Sequence, residues 1–272
     1  YKYADLQTYL NNIVKTSKVE TKSVHKSFIY PNLIVEKRLY AFYGVFIDYF
    51  IRRYISEKLN IAFEDTRAKF YYDSLHSEII VDSAKEFHDF LKRDDINVVN
   101  FKEMEDGRMK ILYNNNECNG GAYWVLGEDK IIPGYKESYK KVIDTKTYKT
   151  MDVINDIFNI SNAHLVWFGQ NIVKEPLEYN EENLACITTY LDGLISGKNE
   201  ILLNPALGGK CFKGDADLIV DDVIIDIKNS KFEKNSLKDF YQLIIYSYGA
   251  FHHFKKDIKK FKIYNPLLGK EY

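Results

Sequence analysis

Asp217, Asp226 and Lys228 lie in a stretch running from Gly214 to Lys228, where acids and one lysine alternate with aliphatic residues. Two apolar-alternating runs flank Asp221-Asp222. A two-residue turn there pairs Val220 with Val223 and, counting outward, Asp217 with Asp226 and Asp215 with Lys228. Facing carboxylates repel, so the arrangement is favourable when a cation lies between them or one acid keeps its proton. Such a group suits hydrolysis of a phosphodiester, because a divalent ion supplies both charge stabilisation and a water activated near neutral pH. Oxygen ligands from Asp217, Asp226 and the Ile227 backbone carbonyl select magnesium or manganese over zinc. Lys228, one strand period beyond Asp226, would orient or deprotonate that water and offset developing negative charge. The opposite face, Ala216, Leu218, Val220, Val223, Ile225 and Ile227, is expected to face the core. A plainer interpretation is a solvated polar hairpin face with an Asp215–Lys228 ion pair, and the register decides between them, since a one-residue slip turns every side chain over.

Two helices are expected to position this group. The first, over 36–59, places Gly44, Asp48 and Arg52 four apart along one face. A glycine one turn before an acid leaves room for that acid to approach a neighbouring strand. The second is capped by Asn235 or Ser236, has apolar positions Leu237, Phe240, Leu243, Ile244, Tyr248 and Phe251, and carries Gln242 and Tyr246 together on one face.

In chain order, Gly44…Asp48, Gly214…Asp217, Asp226…Lys228 and Gln242…Tyr246 resemble the motifs of the PD-(D/E)XK nuclease superfamily, in its RecB-type and lambda-exonuclease-like branch. The chain is also similar to a bacterial and viral group that reads D-Y-x-x-R in the first helix, as Asp48-Tyr49 and Arg52 do. The resemblance covers the first helix and roughly residues 199 to 265. It implies a restriction-endonuclease-like core, a mixed central sheet flanked by helices. It further implies metal ligation by Asp48, Asp217, Asp226 and the Ile227 carbonyl, and catalytic roles for Lys228, Gln242 and Tyr246. Gly44, Arg52 and Asp215 are auxiliary candidates. Many RecB-type enzymes carry histidine where this chain has Asp48. The function expected is a magnesium- or manganese-dependent nuclease acting on DNA more than RNA; the alternative is a nuclease-fold module that binds nucleic acid or another protein without cutting.

The composition sets outer limits. With 272 residues and 46% hydrophobic content, the chain suits one large packed domain. No run is long enough for a membrane span. Cys118, Cys186 and Cys211 have no C-x-x-C spacing, which favours a reduced, cytoplasmic setting, and three thiols cannot hold a four-cysteine iron–sulfur cluster in a monomer. His25, His76, His88, His164, His252 and His253 show no zinc spacing. The net charge of −1 argues against a general polyanion coat, but from Lys228 to Lys262 nine lysines face three acids after Asp226. Lys231, Lys234 and Lys238 there, and Lys140 and Lys141 in the tyrosine-rich run 135–149, are the nucleic-acid-binding candidates.

The expected organisation is a single α/β domain over 1–272. Its core comprises 36–59 and 199–265, and a mainly helical elaboration over 60–198 contains a small β-rich excursion. Strands are expected at Met109–Tyr113, Ala122–Leu126, Lys130–Ile132, Glu200–Leu203 and Ile258–Tyr264. Helices are expected at Leu6–Val14, Met151–Phe168 and Glu181–Ser196.

Overall fold

The computed structural model describes residues 8, 11–12, 19–27, 37–74, 97–103, 108–114, 121–126, 132–167, 172–174, 180–207, 214–229 and 237–272. The chain divides into two compact units, 1–37 together with 178–272, and 38–177.

The first unit is built on the Gly214–Lys228 hairpin. Its strands β6 (Leu218–Val220) and β7 (Val223–Ile227) pair Val220 with Val223, Ile219 with Ile224 and Leu218 with Ile225, the register that the turn at Asp221-Asp222 predicts. Asp221 takes a left-handed backbone, φ 51, which aspartate tolerates better than most side chains. Its carboxylate holds the turn by accepting from the Asn199 and Glu200 backbone N–H groups. β5 (Ile201–Leu203) pairs antiparallel with β6. On the other side, β8 (Lys260–Asn265) pairs parallel with β7. A parallel neighbour requires a crossover, and α6 (Leu237–Phe254) supplies it. β9 (Lys270–Glu271) and β1 (Lys22–Ser23) complete the mixed order β1-β9-β8-β7-β6-β5. The helix α5 (Glu181–Ile195) begins at Asn180, whose side chain caps it by accepting from the Glu182 N–H.

The face expected to meet the core is buried, and so is the face that carries the acids. Ile219 and Ile224 share their face with Asp226 and are buried with Ala216, Leu243, Tyr246, Ala250 and Ile263, while Leu218, Val220 and Ile225 are buried on the reverse. The cause is the crossover helix, which covers the face carrying the acids. Each such side chain contributes roughly 1.5–3 kcal/mol on full burial.

The second unit contains the helices α1 (Lys37–Leu59), α2 (Thr66–Ser74), α3 (Tyr135–Ile143) and α4 (Ile154–Trp167), with a three-stranded antiparallel sheet, β2 (Asn97–Glu103), β3 (Arg108–Asn114) and β4 (Gly121–Leu126). α1 is buried on most of its circumference, from Phe42, Phe46, Ile47 and Phe50 to Ile51 and Ile55. Arg53, fully buried in the same helix, donates to the Asp144 and Tyr148 carbonyls and to Thr150 Oγ1, so it anchors the 144–150 loop. The sheet's third strand is Asn97–Glu103; Ile132, expected to end a strand, lies outside one. Lys130 and Ile131 fall outside the described residues, as do most of Leu6–Val14 and the proposed caps Asn235 and Ser236. Among the described residues no helix is long and apolar enough to cross a membrane.

Candidate functional site

The hairpin, its parallel neighbour and α6 bring five of the sequence-predicted residues together within the first unit. Asp226 is the fourth residue of β7, beside Ile263 of β8, and is 2% exposed. Its Oδ2 lies 3.0 Å from Lys228 Nζ. That contact uses one acceptor site of the carboxylate, so the buried group has acceptor capacity left over. Lys228 donates onward to Gln242 Oε1 at 3.2 Å, and Gln242 Nε2 donates to the Tyr246 hydroxyl at 2.5 Å. The four-residue spacing that puts Gln242 and Tyr246 on one helix face thus produces a relay ending at the lysine.

Asp217 enters differently from the expected cross-strand pairing. The hydrogen-bonded ladder ends at Leu218↔Ile225, and the Asp217 carboxylate instead accepts from the Ile227 N–H at 2.6 Å. That bond carries it to the peptide that joins Asp226 to Ile227. The segment before β6 is tied to the chain on its other side: Asn204 N–H donates to the Asp217 carbonyl, Leu207 N–H to the Gly214 carbonyl, and Asp215 bridges Ala206. Asp215 is exposed.

Gly214 has a steric reason to be glycine. A Cβ there would sit 2.9 Å from Tyr246 Cε1, closer than real Cβ contacts allow. The spacing of Gln242 four residues before Tyr246 is set on the helix; access of the tyrosine ring to the hairpin is set by this missing side chain.

The charge balance of the group is negative. Burial raises the Asp226 carboxyl above its ordinary 3.8, opposed by Lys228 and reinforced by Asp239. Burial works against the charge of Lys228, yet Asp226, Asp217 and Asp239 together hold its ammonium above the ordinary lysine value. Both directions follow from several acids sharing one lysine, which keeps the cation and leaves the most buried acid short of compensation. Asp239, in the first turn of α6, was missed as a site residue. Its signal was present as an acid on the helix face three residues before Gln242. Tyr246 is likewise raised by burial, with the Gln242 hydrogen bond opposing.

Asp48 and Arg52 form a cluster of their own in the second unit. Arg52 donates to Asp48 Oδ2 at 2.7 Å and to Asp65 Oδ2 at 2.9 Å, and lies over the Tyr49 ring at 4.9 Å. The Tyr49 hydroxyl donates to Asp65 Oδ1 at 2.6 Å, and the same oxygen caps α2 by accepting from the Arg67 and Ala68 N–H groups. Asp65 is therefore held below its ordinary value: burial is overcome by Arg52 and by these donors. Asp48 is pushed up by burial, against Arg52. Arg67 contacts His164 Nδ1 at 2.8 Å, and burial with the adjacent arginine lowers that imidazole to about 4. Gly44 lies one turn before Asp48 in α1, as the spacing predicts.

Of the nucleic-acid-binding candidates, Lys238 and Lys140 are exposed, Lys141 lies 3.5 Å from Asp156, and Lys231 and Lys234 fall outside the described residues. The tyrosine-rich run at 135–141 is a helix whose tyrosines are not free to stack on bases: Tyr135 and Tyr139 are 0% and 7% exposed, packed on Tyr71 and Tyr72. Sequence alone misplaced them because a tyrosine beside a lysine looks the same whether its ring points inward or outward.

Among the described residues no three His, Cys, Asp or Glu side chains gather as a metal-holding group. The donor set nevertheless fits a hard divalent ion. Magnesium is commonly held by one or two carboxylates with water and substrate phosphate, and Asp226 Oδ2 is a buried carboxylate oxygen with unused capacity. Cys186 is a free thiol; Cys118 and Cys211 fall outside the described residues. Compared with protein-family models, with curated proteins and with solved structures, the chain shows no match, so its own geometry carries the functional argument.

Proposed function

We propose that the chain is a divalent-metal-dependent nuclease of restriction-endonuclease-like fold, hydrolysing phosphodiester bonds in DNA, with RNA as the second substrate class. The observation that carries this is the negative group at the end of β7: Asp226 buried and undercompensated, Asp217 fixed on the adjacent peptide, and Lys228 aimed by Gln242. Asp217 and Asp226, with the Ile227 carbonyl, would hold magnesium or manganese, which when bound neutralises the phosphate and acidifies a water. Lys228, kept as an ammonium by the surrounding acids, would present its N–H donors to the attacked phosphate and offset its growing charge. Gln242 fixes the ammonium, and Tyr246 fixes Gln242, so this lysine enters the reaction already oriented.

The test is cleavage of linear duplex, closed circular and single-stranded substrates with magnesium, with manganese and in chelator. Product should form only with metal, and Asp226→Asn and Lys228→Ala should each lower the rate by about 100-fold or more with unchanged far-UV circular dichroism. Full activity of both variants at equal concentration would discard the centre. Tight nucleic-acid binding by the wild type with no metal-dependent product would replace the enzyme with a non-cutting binding module.

A further inference from the structure

A groove of about 600 Å³ lies between α6 and β8, lined by Phe240 and Ile244 of the helix, Phe261 of the strand and Tyr272. Phe261 is 41% exposed, although the rest of β8 from Ile263 onward is buried. Phe251, 55% exposed, follows Ile244 by seven residues and continues the same helix stripe. Lys259 and Lys260 stand at the groove, exposed, with their backbone N–H groups both bonded to the Asp222 carbonyl and no ion pair among the described residues. Lys22 and Lys262 also line it. The acids there are Glu20, and Glu271, which is engaged by Lys262 and by the Tyr190 hydroxyl at 2.9 Å each; Asp257 is exposed on the adjoining loop.

We propose that this groove binds single-stranded nucleic acid, with unstacked bases on its apolar aromatic floor and phosphates on Lys259 and Lys260. The charge complementarity selects a polyanion: lysine is depleted from the cores of protein–protein interfaces, yet here lysines outnumber acids around the exposed rings. The rings select single strands, because paired bases offer no free face for stacking. The inference rests on the nuclease proposal and deepens it by naming the substrate class. Phe240 and Ile244 lie on the far side of α6 from Gln242, and Lys260 pairs with Val223 at the opposite end of β7 from Asp226. Three residues of strand separate those ends, about 10 Å measured along β7, and because the groove and the acid group lie on different sides of α6, a strand bound in the groove passes around the helix to reach the acids.

Binding is measured by fluorescence anisotropy of a fluorescein-labelled oligothymidine and of a duplex of equal length, in the Asp226→Asn background so that cleavage does not interfere. The single strand should bind more tightly than the duplex. Phe261→Ala should weaken single-strand binding about tenfold, and Phe261→Leu, which keeps an apolar side chain, should lose most of the same affinity. Lys259→Ala/Lys260→Ala should lower the log–log salt slope by about 1.4, at roughly 0.7 per phosphate contact in single strands. Unchanged affinity and slope in these variants, or a preference for duplex, would overturn the proposal. So would a wild-type dimer that Phe261→Ala dissociates without altering DNA binding, since the groove would then hold a second copy. If the wild type never cuts but the groove variants lose binding, the groove stands and the nuclease proposal falls; metal-dependent cutting with unaffected binding gives the reverse.

Discussion

Two clusters of acids and bases, one in each unit, show how differently buried charge is managed. Around α1 of the second unit, Asp48 and Asp65 face Arg52 and Arg67, and Asp65 accepts two backbone donors and a tyrosine hydroxyl. The signs balance, and arginine cannot shed its proton. At the hairpin of the first unit, Asp217, Asp226 and Asp239 act on Lys228. The balanced cluster has what a folded helix pair needs. The unbalanced one costs stability as it stands, and a buried carboxyl short of a cation is a reason to look for function there.

The largest stability effect should come from breaking the balance. Arg52→Ala strands Asp48 and Asp65 beside each other, and removing one partner of a buried ion pair costs about 3–5 kcal/mol, read as a shift in the chemical-denaturation midpoint. A loss below 1 kcal/mol would mean that water reaches the cluster and that its balance is not what stabilises α1 and α2.

Next in size is the response to metal and pH, where the clusters should have opposite signs. Asp226 has a raised pKa, so its contribution to stability is full below the ordinary 3.8 and is lost as pH rises through the raised folded value. Asp65 is depressed, so its contribution is present above the ordinary value and is lost as pH falls through the depressed one. Asp226→Asn should therefore stabilise the chelated protein at neutral pH, and Asp65→Asn should destabilise it there. Magnesium or manganese at about 100 times its dissociation constant should add about 2.7 kcal/mol to the wild type and little to Asp217→Asn/Asp226→Asn. Thermal melts across pH, with chelator and with metal, check both halves; equal slopes for the two single variants would erase the contrast.

A smaller effect sharpens the unbalanced side. Gly214→Ala pushes a methyl against the Tyr246 ring, so it should cost about 1–3 kcal/mol through overpacking and also slow cleavage by disturbing Gln242 and Lys228. Purely thermal damage, with kcat unchanged at a permissive temperature, would separate Tyr246 from the lysine's alignment.

Much of this arrangement is determined by local sequence. The hairpin register follows from alternation and a two-residue turn; α1, α5 and α6 follow from apolar periodicity and, for α5, an asparagine cap; Gln242 and Tyr246 share a face because helices repeat every 3.6 residues. These are short-range rules that operate between neighbours. Other features depend on what another part of the chain brings near. Asp217 turns to the Ile227 N–H because the residues before β6 pair with 204–207. Asp239 joins the field because a crossover helix lies over β7. The acid face is buried because that same helix covers it, and Tyr135 and Tyr139 are lost to stacking because Tyr71 and Tyr72 lie against them. Sequence spacing states which side chains share a face. Only long-range packing decides what that face meets, and burial, ion pairing and proton affinity all depend on that meeting.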